Sequence, residues 1–168
     1  MTTELHRQQT SAPTKAASGT TVYAGAISSS TDLGGQQLGY LEELLDQPTT
    51  RFIGDVAARE GQRCLDLGAG RGSIARWLAG RTAPTGRVTA VDIEDTHIDV
   101  PPAVRVYRHD VNEGLPDKGP FDVIHTRLLL VHLKRRRELL AQLIDALAPG
   151  GWLVIGEFTH PRTDPVTG

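Results

Sequence analysis

The sequence has a single cysteine, Cys64, among its 168 residues. One thiol cannot form a disulfide within the chain or supply a thiolate metal site. The histidines lack metal-ligand spacing with nearby carboxylates, so we predict no metal. The sequence also lacks an apolar run of membrane-spanning length and an N-terminal apolar signal core. We therefore expect a cytoplasmic protein with no membrane partner.

An excess of charge of either sign is also lacking. The 18 basic and 20 acidic residues leave a net charge of −2. Such a balance gives no global attraction to nucleic acid or to an anionic membrane. The local basic run at residues 134–137 is typical of a solvated helix face. The length fits one domain, for which we predict the range 31–168. Residues 1–30 are poor in large apolar groups, so we expect them to be disordered or mobile.

Strand and helix patterns alternate after residue 60. Apolar strands are predicted at 63–67, 86–92, 103–111, 121–126 and 152–158. Helices are predicted at 38–46, at 48–60 with Pro48 near the start, at 73–81, and from His132 to the Pro149–Gly151 stop. This alternation predicts an α/β fold with a doubly wound, mostly parallel, Rossmann-like sheet of about five strands and helices on both faces. The short 93–103 connection leaves room for about one helical turn.

A glycine-rich turn, LDLGAGRG, joins the first strand to the next helix. Gly68, Gly70 and Gly72 suit close approach of the backbone to a ligand. The dinucleotide fingerprint would need a glycine where Ser73 stands. Asp66, at the end of the strand, would repel a pyrophosphate but suits a cationic group such as an ammonium. The turn therefore favours a nucleoside that carries an amino acid, and a purely structural turn with a capping aspartate is the alternative.

Two further aspartates end the next two strands. Asp92 is placed to accept the hydroxyls of a ribose, a device that dinucleotide enzymes share. Asp110 is placed to meet the exocyclic amine of an adenine, with Val111 offering backbone contact. An aspartate that caps a turn is an equally good interpretation of Asp110.

Five motifs that occur in order across residues 36–158 resemble class I S-adenosylmethionine-dependent methyltransferases. They are LDLGAGRG, VTAVD, YRHDV, FDVIHTRLLLVHL and LLAQLIDALAPGGWLVIGEF. The short second crossover and HTRLLLVHL are similar to a bacterial subgroup that acts in small-molecule and natural-product pathways. The resemblance implies S-adenosyl-L-methionine as cofactor and methyl transfer to an O, N or C nucleophile of a small molecule, such as a secondary metabolite.

The resemblance also implies which residues hold the cofactor. Asp66 would orient the methionyl amine, Asp92 the ribose, and Asp110 with Val111 the adenine. Thr126 and Arg127 would lie near the methionyl group and the substrate mouth. The full set of cofactor residues is Asp66, Gly68, Ala69, Gly70, Gly72, Asp92, Ile93, Asp110, Val111, Thr126 and Arg127.

The family fold has seven strands, and this sequence lacks the sixth and seventh. We therefore expect either a truncated piece of a longer enzyme or a sheet that another chain completes, because natural proteins avoid an uncovered edge. A homodimer is one possible form of the protein, because a second chain could cover that edge. A fragment that binds cofactor without turnover is one alternative function.

Methyl transfer from a sulfonium requires mainly alignment of the reactants and exclusion of water. A general base is needed only where the acceptor arrives protonated. His125, His132 and Glu157 are the weak candidates for that base, and each has a structural interpretation as well. An NAD(P)-dependent oxidoreductase is the alternative enzyme class, which Ser73 and Asp66 disfavour.

Overall fold

A computed structural model describes residues 31–158, so the predicted N-terminal segment 1–30 and residues 159–168 lie outside the described part. The strands of this part are β1 Arg63–Leu67, β2 Arg87–Asp92, β3 Val104–Arg108, β4 Phe121–Arg127 and β5 Leu147–Gly156. All neighbouring strands pair in parallel, in the order β3-β2-β1-β4-β5. The predicted α/β Rossmann-like fold is confirmed. The strand order reverses between β1 and β4, which is where parallel sheets of this type bind ligands.

Helices cover both faces of the sheet. Their ranges are α1 Asp32–Val56, α2 Ser73–Thr82 and α3 Arg136–Asp145. One buried cluster joins α1 and α2 to one face through residues such as Ile53, Leu78 and Cys64. A second cluster joins α3 to the other face through Leu65 and Leu143. Side chains alternate between the faces along each strand, so even-numbered residues of β1 point toward α1 and α2. Within residues 31–158, no helix is long and apolar enough to cross a membrane.

Helix α1 is one continuous helix, so the prediction of two helices divided near Pro48 is wrong. Proline removes one backbone donor and normally ends or kinks a helix. Here the Thr50 hydroxyl donates to the carbonyl of Asp46 at 2.8 Å, within the turn that contains the proline. Ile53 beyond it is fully buried against α2 and the sheet. Burial of the second half therefore holds the helix together across Pro48. Thr31 caps its start by accepting from Gly34 N at 3.0 Å.

The last strand also differs from its prediction. Helix α3 ends at Asp145 and β5 begins at Leu147, before the glycines that were expected to stop a helix. The pairing with β4 shifts register between Phe121 and Val123. A Cβ on Gly151 would lie 2.9 Å from the carbonyl oxygen of Phe121. The glycine pair therefore allows a bulge inside the strand.

The connection between β2 and β3 is short, as expected, and it contains no helix. Instead, Asp99 N donates to Arg71 O at 3.0 Å. Arg76 on α2 also donates to the carbonyl of Asp99. These bonds hold the connection against the turn that follows β1 and against α2.

Candidate functional site

The glycine turn lies where the sequence predicted it, between β1 and α2. Gly68, Gly70 and Gly72 have φ angles of +75°, +58° and +84°, a region that other residues rarely adopt. Val91 O accepts from the backbone N–H groups of both Gly68, at 2.8 Å, and Ala69, at 3.1 Å. The turn therefore follows β1 in the chain and is also hydrogen-bonded to the end of β2.

Gly72 serves packing as much as backbone conformation. A Cβ there would lie 2.6 Å from Val100 Cγ1 in the β2–β3 connection. A Cβ on Gly70 would meet only Leu38 of α1, at 3.6 Å. The turn is thus enclosed by the connection on one side and by α1 on the other.

Asp92 at the end of β2 contacts the same turn. Its Oδ2 accepts from Gly70 N at 2.8 Å, and its Oδ1 accepts from Glu94 N at 3.1 Å. Burial raises the pKa of the Asp92 carboxyl, and the bonds from Glu94 and Gly70 oppose that shift. The next side chain, Ile93, is 57% exposed. A carboxylate and an exposed apolar surface therefore stand side by side at this edge.

Asp110 at the end of β3 caps a short 3-10 turn, Val111–Glu113. Its Oδ1 accepts from both Asn112 N and Asn112 Nδ2, each at 2.9 Å. The predicted capping role is therefore confirmed, and the Oδ1 atom fulfils it. Both of these bonds use Oδ1, which leaves the Oδ2 atom for a ligand. Val111 is buried at the same strand end.

Asp66 and His125 form a buried pair on β1 and β4. They face each other in the parallel register, and Asp66 Oδ1 lies 2.7 Å from His125 Nδ1. The two residues are 1% and 2% exposed. Asp66 Oδ2 and His125 Nε2 are buried too, and neither has a partner in the described part of the chain. The carboxylate predicted to orient an amine thus has one oxygen bound and one unbound.

Arg127, at the end of β4, contacts helix α1. Its Nη2 lies 2.9 Å from Asp46 Oδ1, and its Nη1 donates to Thr49 Oγ1 at 3.0 Å. The same Asp46 oxygen accepts from Ser73 Oγ at 3.1 Å. Thr126 is fully buried, and its Oγ1 has no partner among residues 31–158. Strand alternation turns Thr126 to the face opposite that of Asp66 and His125.

A polar stripe on α1 was missed by the sequence reasoning. Glu42 lies 3.8 Å from Arg71 of the glycine turn, and burial is the main cause that raises the pKa of this glutamate. Glu42, Asp46 and Thr49 are spaced four and three residues apart, so they share one face of the helix. That spacing is the signal in the sequence that identifies this polar face.

His132 and Glu157 come together beyond the ends of β4 and β5. Glu157 Oε1 accepts from Leu130 N at 2.8 Å, in the turn that contains His132. Burial lowers the pKa of His132, and the charge of Glu157 opposes that shift. Glu157 Oε2 is buried without a partner in the described residues. Two of the three candidate bases, His132 and Glu157, therefore lie close together, whereas His125 is bonded to Asp66.

Known proteins that resemble this chain include methyltransferases. A family model described as "Methyltransferase domain" matches residues 38–164. The chain is 36% identical over 113 residues to "Methyltransferase str2" of Strobilurus tenacellus, covering 64% of this chain and 41% of that protein. It is 32% identical over 130 residues to the "27-O-demethylrifamycin SV methyltransferase" of Amycolatopsis mediterranei, covering 70% and 46%. The chain thus spans less than half the length of these two relatives.

Solved structures share the fold. The crystal structure of a SAM-dependent methyltransferase from Aquifex aeolicus superposes with a TM-score of 0.60 at 20% identity. The match covers 72% of this chain and 71% of that chain.

Proposed function

The chain belongs to the methyltransferase-domain family whose model matches residues 38–164, and from this we propose that it binds S-adenosylmethionine and methylates a small molecule. The observation that carries the proposal is the arrangement of three carboxylates. Asp66 is the penultimate residue of β1, Asp92 is the last residue of β2, and Asp110 follows β3 by two residues. All three lie toward the edge of the sheet that also holds the glycine turn. The carboxyl edge of a parallel sheet is where such ligands bind.

The residues present fit this cofactor. The unpartnered, buried Asp66 Oδ2 suits a cationic amine. Asp92, held beside the glycine turn by Gly70 N, would accept the ribose hydroxyls. Ile93 offers an apolar surface for the adenine face, and Asp110 Oδ2 would accept from its exocyclic amine. When bound, the cofactor supplies a methyl group already activated for displacement by its positive sulfur.

The work left to the protein is alignment and exclusion of water. Helix α1 covers the site on one side, and its contacts with Arg71 and Arg127 hold it over the glycine turn. Glu157 and His132 stand at the ends of β4 and β5, and a base role for either remains a prediction. His125 was the third predicted base, and its Nδ1 is already bonded to Asp66.

A small-molecule acceptor is supported by the names of two relatives. One is the "27-O-demethylrifamycin SV methyltransferase", and another, 32% identical over 166 residues, is "O-methyltransferase cnsE" of Penicillium expansum. The acceptor atom stays open among O, N and C. Cytoplasmic location, a lack of nucleic-acid partners and a homodimer stay predictions, as does the domain range 31–168.

Calorimetric titration tests the cofactor. We expect S-adenosylhomocysteine to bind and NAD not to bind. Asp92→Ala should weaken S-adenosylhomocysteine binding roughly tenfold or more, because the ribose loses a charge-assisted acceptor. Asp95→Ala, an exposed residue in the same connection, is the matched control and should bind normally. Binding of NAD without S-adenosylhomocysteine would favour the oxidoreductase alternative. Screening for tritiated methyl transfer into a metabolite extract would then identify the acceptor and exclude a fragment without turnover.

A further inference from the structure

The Asp66–His125 pair lies in an otherwise apolar row of the sheet. In register across β2, β1, β4 and β5, the row reads Ala90, Asp66, His125 and Val154. Ala90 and Val154 belong to the buried cluster beneath α1 and α2. Two polar side chains in such a row cost free energy of desolvation that two apolar ones would not. The fold alone therefore gives no reason for the pair.

The hydrogen bonding of the pair is not complete. The bond between Asp66 Oδ1 and His125 Nδ1 needs the imidazole proton on Nδ1, because the carboxylate oxygen can only accept. The second oxygen, Oδ2, is buried without a partner in the described part of the chain. A buried, unpaired carboxylate oxygen calls for a cationic donor.

We propose that His125 is a positioning residue for the cofactor's amino group. Its Nδ1–H holds Asp66 Oδ1 and thereby fixes the carboxylate so that Oδ2 accepts a hydrogen bond from the α-ammonium of the methionyl group. This inference rests on the proposed function, because it assumes that cofactor. His125 acts through Asp66 and exchanges no proton with the methyl acceptor.

The position of His125 is consistent with this role. The residue is 2% exposed, and strand alternation points it toward α1 and α2 together with Asp66. An unconstrained aspartate samples several rotamers, whereas a bonded one presents its free oxygen in one direction. The ordering of that oxygen before the ligand arrives is the contribution of the histidine.

Two ligands separate the amino-acid contact from the rest of the site. S-adenosylhomocysteine carries the α-ammonium, and 5′-methylthioadenosine lacks the whole amino-acid part. His125→Leu should weaken S-adenosylhomocysteine roughly ten- to a hundredfold, the range for losing a hydrogen bond to a charged group. It should leave methylthioadenosine binding unchanged. In an Asp66→Asn background, His125→Leu should add little further loss, because both changes remove one interaction.

A polar pair of variants keeps the test usable if His125→Leu fails to fold. Asparagine places its amide N–H near the Nδ1 position, and glutamine places it near the Nε2 position. His125→Asn should therefore retain the preference for S-adenosylhomocysteine over methylthioadenosine, and His125→Gln should lose it. Calorimetry of the wild type, the two variants and both ligands gives the comparison.

Each other outcome overturns the inference. Equal loss of both ligands would show a structural role for His125. Unchanged binding of both, with a lower kcat alone, would make His125 a base. Equal behaviour of the Asn and Gln variants would show that the Nδ1 bond does not matter. If the wild type binds neither ligand, the proposed function itself fails, and the inference fails with it.

Discussion

Arg127 of β4 and Asp46 of α1 are 81 residues apart in sequence, and their side chains meet at 2.9 Å. The arginine is 14% exposed and the aspartate 32%. Asp46 also accepts from Ser73 at the start of α2. One carboxylate therefore joins the end of a central strand, the first turn of α2 and the middle of α1.

Removing that carboxylate should loosen α1. We expect Asp46→Ala to lower the free energy of unfolding by about 1 kcal/mol, since partly exposed ion pairs contribute little and the hydrogen bonds slightly more. Urea denaturation measures the change. Asp55→Ala, an exposed aspartate on the same helix, is the control and should change stability by less than about 0.5 kcal/mol. Equal effects of the two substitutions would contradict a role for the contact.

The glycine turn should tolerate no Cβ at Gly72. Its φ of +84° and the 2.6 Å approach to Val100 both oppose a side chain, so we expect Gly72→Ala to cost at least about 1–2 kcal/mol. Gly80 in α2 has no atom near its Cβ position, and Gly80→Ala should instead stabilise by about 0.5–1 kcal/mol. Thermal and urea unfolding of the two variants measure whether the free energy of unfolding falls for Gly72→Ala and rises for Gly80→Ala.

Cofactor affinity should depend on pH through Asp92. Burial raises the pKa of this carboxyl, so the folded protein holds its proton more tightly than the unfolded chain does. Asp92 thus favours folding at pH below the ordinary aspartate range, and this contribution is lost as pH rises through the raised pKa. The ionised form accepts ribose hydroxyls best, so S-adenosylhomocysteine should bind more tightly as pH rises through the same window.

Asp92→Asn is the control for this pH effect. Calorimetric titrations of the variant over the same pH range should give a flatter profile with weaker binding throughout. A variant that retains the full pH dependence would assign the effect to a different group.

Cys64 should be unreactive in the folded protein. It is fully buried, and burial, with smaller effects from the charges of Asp122 and Asp66, raises the pKa of its thiol to about 12. The thiolate is the reactive form. A disulfide reagent at pH 8 should therefore label the chain only in denaturant. Rapid labelling of the folded protein would show that the face of the sheet beneath α1 and α2 opens readily.

The elements that could be predicted are those with a local signal. The ends of β1 agree with the sequence pattern, because an apolar strand followed by glycines is defined by its own residues. The start of α2 at Ser73 follows from the same turn. Asp92 was found as a strand end for this reason. The third strand was predicted too long, because it ends at Arg108 and Asp110 caps the 3-10 turn that follows.

The features that could not be predicted depend on distant residues. Pro48 is a helix breaker by local rules, and burial of Ile53 overrides them. The start of β5 before Gly150 depends on its pairing with Phe121. The pairing of Asp66 with His125 requires the register of β1 against β4, which no local spacing encodes.

The uninterrupted course of α1 across Pro48 has a mechanical consequence. Its first half contacts the glycine turn through Leu38 and Glu42. Its middle contacts the end of β4 through the ion pair of Asp46 with Arg127. Because the helix is continuous, a displacement at either of these two contacts is transmitted to the other. Whatever displaces the helix therefore disturbs the glycine turn and the end of β4 in a single movement.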